Sequence, residues 1–188
     1  YVLDPSPEAP CKIACNTFVQ GSLTDFETVY NFGKQVDLLT FEIELVNIEA
    51  LEKLESEGLK VFPSPKTLKL IQNKAIQKQF YLDNDIPTSD FKRFSNLEHL
   101  QTEISNLKTP FVWKCTEFGY DGNGVKIVRE LKDLENLPNV ECIAEEMVAF
   151  KNELAVIVVR NQKGESNHYP VVEMEFHPEA NQVEYVIC

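Results

Sequence analysis

A lysine closes an apolar run at Lys114, and the glycine-rich stretch Gly119-Tyr120-Asp121-Gly122-Asn123-Gly124 follows shortly after it. A cation beside such a loop suits a triphosphate. Glycine has no Cβ, so the backbone can approach an anion closely, and its N–H groups can point at the anionic oxygens. The ammonium adds a point charge against the phosphate. The stretch is not a P-loop, because no Gly-x-x-x-x-Gly-Lys occurs. An ordinary glycine hairpin with its lysine lying along the surface reads the same residues equally well. A second constellation is Glu145-Glu146-Met147-Val148 followed by Glu153. There a purine could lie against a strand edge, and a carboxylate could accept both ribose hydroxyls. A solvated acidic turn is the competing reading. Glu42 and Glu44 follow an apolar run ending at Phe41, where open α/β sheets place ligands, although plain loop acidity competes. Lys74, in Gln72-Asn73-Lys74, reads by itself as a surface residue inside a helix. His177 lies among Glu173, Glu175 and Glu179, a pattern that favours carboxylates alternating on an exposed strand over a metal cluster. His99 and His168 are incidental, and no Ser-His-Asp or Cys-His order stands out.

The elements that must position these groups follow from periodicity. The first third alternates strand and helix. Strands are predicted at 2–4, 36–41 and 60–62, and helices open at 22–25 and at Asn47. Phe26, Val29, Tyr30 and Gly33 share one face of the first helix, and Ile48, Leu51 and Leu54 share one face of the second. Strands separated by such helices imply βαβ units and a parallel sheet. Residues 65–84 read as one helical stretch with Leu68, Ile71, Ala75, Phe80 and Leu82 on its stripe, and 96–107 as a second helix. The remainder is β-rich. Strands at 110–115 and 125–128 flank the glycine loop, a short helix covers 131–137, and further strands cover 142–146, 154–160 and 183–187. Asn161-Gln162-Lys163-Gly164 is a hairpin turn.

Composition narrows the classes. The 188 residues are 43% hydrophobic and 26% charged, a globular balance for one domain or two small ones. A net charge of −12 argues against a nucleic-acid binder, which needs a basic face. No apolar run approaches the roughly 20 residues of a membrane span, and no signal peptide is visible. The cysteines are Cys11, Cys15, Cys115, Cys142 and Cys188. Their odd number and the absence of Cys-x-x-Cys argue for free thiols in a reducing, cytoplasmic compartment and against zinc. Tyr1-Val2-Leu3-Asp4 and the run before Cys188 both read as strands cut through, so the chain reads as an internal piece of a longer protein.

Taken in order, a βαβ piece, a helical piece, the strand lysine, the glycine hairpin, Glu145 to Val148 and Glu153 resemble the ATP-grasp superfamily. Within it the chain resembles the 5-(carboxyamino)imidazole ribonucleotide synthetases, the ATPase component of phosphoribosylaminoimidazole carboxylase. The resemblance runs the whole length. It rests on Val2-Leu3-Asp4-Pro5, Thr40-Phe41-Glu42-Ile43-Glu44, Phe62-Pro63-Ser64-Pro65, Gly119 to Gly124 and Tyr169-Pro170. Gly-Tyr-Asp-Gly-x-Gly after a strand lysine is quite specific. The Tyr-Asp inside the loop speaks against a formate-dependent glycinamide ribonucleotide transformylase or a biotin carboxylase. A non-catalytic nucleotide-binding module is the remaining alternative.

The resemblance implies an α/β chain in which an ATP-grasp fold follows a partial pre-ATP-grasp βαβ domain. Residues 1–64 would form that domain, and 65–109 a helical segment. Residues 110–148 would be the glycine-hairpin subdomain, and 149–188 the start of the last sheet. It implies ATP and magnesium as cofactors, and 5-aminoimidazole ribonucleotide and bicarbonate as substrates joined through carboxyphosphate. A cytoplasmic homodimer is implied as well. Carried onto this sequence, Lys74 and Lys114 are the phosphate-side cations, and Gly119, Tyr120, Asp121, Gly122, Asn123 and Gly124 cover the phosphates. Glu145, Glu146, Met147 and Val148 form the adenine hinge, Glu153 takes the ribose, and His177 lies near the nucleotide. Position 74 is often Arg in relatives, Val125 stands where many have Gln, and His177 is one residue further from Tyr169-Pro170 than in the family pattern. Glu42 and Tyr120, with Asp121, are the candidates for the ribonucleotide. The magnesium ligands are expected after Cys188 and a first glycine-rich loop before Tyr1. No metal ligand is therefore named, and the segment alone is expected not to catalyse.

Overall fold

Short polar caps start the helices of the first half. The computed structural model describes residues 1–117, 124–177 and 182–188, which divide into two units. The first unit holds Tyr1–Thr88 together with residues 116 and 117. In it β1 (Val2–Asp4) pairs in parallel with β2 (Phe18–Gln20), Val2 opposite Phe18. Helix α1 (Phe26–Gly33) begins where Asp25 accepts the Thr28 amide at 2.8 Å. That carboxyl, bonded by the Thr28 hydroxyl and amide, has a lowered pKa. Strand β3 (Leu38–Thr40) pairs in parallel with β4 (Lys60–Phe62), and α2 (Ile48–Ser56), capped by Asn47, crosses between them. Helices α1 and α2 pack through Val29, Phe32, Leu51 and Leu54, all buried. Gly33 permits this approach, since a Cβ there would lie 2.3 Å from Leu54 Cδ1.

Several expectations change here. Residues 36–41 shorten to β3, and β2 carries no alternation strong enough to reveal it. The single helical stretch at 65–84 is two helices, α3 (Pro65–Gln72) and α4 (Lys74–Asp83). Asn73 sits between them at φ −118° and ψ 109°, outside the helical region, and its side chain caps α4. Lys74 is therefore the first residue of α4 and not a helix-interior residue. The supposed stripe also splits. Leu68 and Ala75 are buried, whereas Phe80 and Leu82 are exposed.

The second unit holds Ser89–Cys115 and the described residues from 124 onward. Its main sheet has the order β5-β8-β6-β7, built from β5 (Phe91–Phe94), β6 (Phe111–Cys115), β7 (Val125–Val128) and β8 (Cys142–Glu146), all antiparallel. Strand β5 escaped the sequence reading because Phe91-Lys92-Arg93-Phe94 puts two charges at its centre. Helix α5 (Leu97–Glu103) is capped by Asn96 and followed by a 3-10 turn, Ile104–Asn106, in place of one long helix. The expected helix at 131–137 is likewise a single 3-10 turn, Leu131–Leu134. One face of the sheet meets α5 through Phe94, Leu100, Phe111, Trp113, Val128 and Ala144.

The rest is thinly covered. Strand β9 (Glu153–Ala155) joins β12 (Val172–Phe176) and β13 (Val183–Ile187) in the order β13-β12-β9. Strands β10 (Val158–Arg160) and β11 (Ser166–His168) form a separate ladder. The predicted strand 154–160 is thus divided, because its two halves pair with different partners. Leu154, Ile157, Val158 and Val186 are exposed.

Candidate functional site

The period of two along a strand sends alternate side chains to opposite faces. Phe111, Trp113 and Cys115 of β6 point into the α5 core, so Val112 and Lys114 project from the other face. On β8, Cys142 and Ala144 are core residues, so Ile143 and Glu145 share the face with Lys114. The register sets Lys114 opposite Ile143, with Val112 opposite Glu145. Lys114 therefore reaches Glu145 diagonally, and Nζ stands 2.8 Å from Oε2. Their side chains are 27% and 10% exposed, far less than those of the surface ion pairs of this chain. The cation is held at the end of β6 that leads into the glycine stretch. Cys115 N–H bonds the Gly124 carbonyl at 2.9 Å, closing that hairpin. Gly124 has φ +72°, a conformation that favours glycine.

Strand β8 ends at Glu146, whose amide bonds the Asp90 carbonyl at 2.8 Å. Met147 and Val148 follow in irregular backbone, 40% and 56% exposed. That stretch continues β8 directly past Glu145, beside the start of β6 and opposite to the end at which Lys114 leads into the glycine stretch. Glu153 begins β9 opposite Met174, and His177 follows the far end of β12, where its amide bonds the Gln182 carbonyl at 2.8 Å. Glu153 and His177 thus stand at one end of that sheet. Asn152 bonds Glu173 there.

In the first unit Glu42 is exposed just after β3, as the sequence places it. Lys74 opens α4, and its amide bonds the Thr116 carbonyl at 2.9 Å. Gly119, Tyr120, Asp121, Gly122 and Asn123 lie outside the described residues. Among the described residues no three His, Cys, Asp or Glu side chains gather to hold a metal, and no helix is long and apolar enough to cross a membrane.

Of the predicted residues, the structure brings Lys114 and Glu145 into direct contact. Glu146, Met147 and Val148 follow Glu145 along the chain and run away from Lys114, and Glu153 and His177 stand at a common sheet end. Sequence reasoning missed Gln72, Asn73 and Glu117, which bond the segments that carry Glu42 and the glycine stretch. An Asn flanked by two helical patterns was the available signal. Burial first of all pushes the Cys142 thiol up, which favours its protonated form.

The arrangement is one cation on a strand end, a glycine-rich stretch after it, irregular backbone following β8 and a carboxylate at the start of the next sheet. Such a set can hold a nucleotide by its phosphates, base and ribose. Residues 1–72 match the ribonucleotide synthetase preATP-grasp domain, and residues 79–187 match the ATP-grasp domain. The chain is 32% identical over 174 residues to the N5-carboxyaminoimidazole ribonucleotide synthase of Pseudomonas aeruginosa, covering 90% of this chain and 48% of that protein. It is similar to the Aspergillus clavatus carboxyaminoimidazole ribonucleotide synthase solved with ATP, with 32% identity, TM-score 0.84, and 98% and 49% of the two chains covered. The same enzyme solved with ADP and 5-aminoimidazole ribonucleotide gives 29% identity and TM-score 0.76 over 94% of this chain and 47% of that one. This chain spans about half the length of these relatives. With a ribonucleotide-synthetase preATP-grasp region leading into a domain that occupies most of its second half, the chain belongs to the ATP-grasp family.

Proposed function

We propose that this chain handles ATP and ribonucleotide in an enzyme that carboxylates 5-aminoimidazole ribonucleotide with bicarbonate, as a step of purine biosynthesis. One observation carries the reading. Synthases of that name match both units, in order, over nine tenths of the chain, and one of them was solved with ADP and this ribonucleotide. The geometry of the Lys114 strand end supports the ATP half.

In this reading the ammonium of Lys114, kept extended across the sheet by Glu145, faces the phosphates. An arriving phosphate competes with Glu145 for it. The strand end at Glu146, Met147 and Val148 offers backbone groups to the adenine, and Glu153 accepts from the ribose hydroxyls. Lys74 adds a second cation, and Glu42 and Tyr120 face the ribonucleotide. Bicarbonate is a poor electrophile. Transfer of the terminal phosphoryl group to one of its oxygens gives carboxyphosphate and ADP. The exocyclic amine then attacks the carbonyl carbon, the C–O bond to phosphate breaks, and the amine loses a proton. A C–N bond forms and phosphate leaves. No protein nucleophile is required, so positioning and charge neutralisation are the protein's part. Magnesium would neutralise phosphate charge, but no described cluster here suits it, and no step is assigned to it. The resemblance, with the free thiols, supports a cytoplasmic homodimer.

The test is phosphate release by the full-length enzyme with each substrate omitted in turn. The reading requires release to depend on both bicarbonate and 5-aminoimidazole ribonucleotide. ATP hydrolysis indifferent to the ribonucleotide would refute it.

A further inference from the structure

The junction between α3 and α4 reaches two segments at once. Gln72, the last residue of α3, donates Nε2 to the carbonyls of Glu44 at 2.5 Å and Val46 at 3.0 Å. Those carbonyls belong to the stretch that leaves β3 and carries Glu42. Asn73 is only 6% exposed. Its Oδ1 accepts the amides of Ala75 and Ile76, both at 3.0 Å, and its Nδ2 donates to Glu117 Oε1 at 3.0 Å. Beside it the Lys74 amide bonds the carbonyl of Thr116, which is 2% exposed. Helix capping needs only Oδ1 of Asn73. The Nδ2 bond to Glu117 and both Gln72 bonds go beyond what either helix requires for itself.

We propose that Gln72, Asn73 and Glu117 are positioning residues with two arms. One arm, Gln72, fixes the β3 exit that presents Glu42 to the ribonucleotide. The other, Asn73 with Glu117, fixes the β6 exit through which the chain passes from Lys114 into the glycine stretch that meets ATP. The inference rests on the function proposed above and adds to it the residues that hold each substrate's segment. A single non-helical residue, Asn73, both ends α3 and starts α4, and it and its neighbour Gln72 bond two different segments.

Four variants of the full-length enzyme test this. Glu117→Ala removes the acceptor from an exposed position and leaves the α4 cap intact. It should raise the ATP KM about tenfold, the loss of one hydrogen bond to a charged group, and speed hydrogen exchange at the Lys74 amide. Glu117→Gln keeps an oxygen for Asn73 Nδ2 and should return both readouts to within about threefold of wild type. The pair N73D/E117Q exchanges donor and acceptor and should recover likewise. Gln72→Ala should raise the ribonucleotide KM and leave the ATP KM nearly constant. Exchange is read without nucleotide, so it reports the ties whether or not ATP binds. Equal behaviour of Glu117→Ala and wild type in exchange and ATP KM would overturn the Asn73 arm. A Gln72→Ala enzyme with an unchanged ribonucleotide KM would overturn the other. Variants that lose both KM values together with melting temperature would show a merely structural junction. A wild type that bound no ATP would overturn the functional reading, and the positioning role with it, even with the exchange pattern intact.

Discussion

Two acidic residues, each gripped by lysine, show how differently the same chemistry can be used. Glu57, at the end of α2, takes hydrogen bonds from the Tyr30 hydroxyl at 2.9 Å and from Lys34 at 3.1 Å, and an ion pair from Lys53 at 3.0 Å. Lys34 and Lys53 are 55% and 53% exposed, so solvent screens the pairs. Tyr30 and Lys34 fasten the end of α1 to the end of α2, and the Lys53 pair braces the last turn of α2 itself. Glu145 has its bond to Lys114 on a sheet face where both are largely withdrawn from water. That pair fastens no helix. It holds a cation on a strand end that opens into a glycine hairpin. Burial and placement at a strand end therefore mark the candidate site, and the number of charged contacts does not. The richer cluster is the structural one.

The largest effect expected from this contrast is at Lys114. Lys114→Ala leaves Glu145 withdrawn from water without this cation, and should cost about 3 kcal/mol of stability. It should also weaken ATP binding by more than about 1.5 kcal/mol. Denaturant melts and calorimetric titration would read the two losses separately. Glu153→Ala comes next. Glu153 is only half-buried at the edge of an open sheet, so ATP affinity should fall by more than about 1.5 kcal/mol with little change in melting. Retained affinity in either variant would remove that residue from the nucleotide site. Substitution of Glu42 or Tyr120 should be subtler, raising the ribonucleotide KM or lowering kcat at a nearly constant ATP KM. Steady-state kinetics with each substrate varied decides this, and a defect confined to the ATP KM would sink the assignment.

The smallest effect lies in the exposed cluster and depends on pH. The Glu57 carboxyl is held down to about 2 from 4.5, by the Lys53 hydrogen bond first and then by Tyr30 and Lys34. A depressed carboxylate contributes stability that is complete above about 4.5 and disappears as pH falls toward 2. Lys34 and Lys53 are raised above 10.5, chiefly by their hydrogen bonds to Glu57, so their contribution is complete below that value and fades as pH climbs past it. Glu57→Gln should flatten the acid limb of the melting-temperature profile between those limits, and added salt should shrink the wild-type limb. ATP affinity should not change, since nothing places this cluster at the nucleotide. A fall in ATP affinity would break the contrast.

Much of the fold could be read from the sequence where one face of an element is buried. The α1 and α2 faces, and strands β6, β7 and β8, follow the expected periodicity because a core enforces it. Legibility failed where short-range chemistry or pairing partners override pattern. Residues 65–84 kept a helical stripe through Asn73, and only the backbone at that residue reveals two helices. Residues 154–160 are evenly apolar, and nothing in their pattern records that β9 and β10 take different partners. At the site, Lys114 and Glu145 were legible separately, each from its strand end. Their contact was not, because a diagonal pair depends on the register between β6 and β8, which no local pattern encodes. Asn73 and Glu117 were invisible for a similar reason: their bond joins distant segments.

The central claim is that ATP activates bicarbonate for attack by the ribonucleotide amine, and isotope transfer tests it most directly. The full-length enzyme would be given ATP, 5-aminoimidazole ribonucleotide and bicarbonate labelled with 18O, and the released phosphate examined by mass spectrometry. Phosphorylation of a bicarbonate oxygen followed by C–O cleavage leaves that oxygen on phosphate, so labelled phosphate should form in step with carboxylated ribonucleotide. Unlabelled phosphate released alongside carboxylated product would contradict the account.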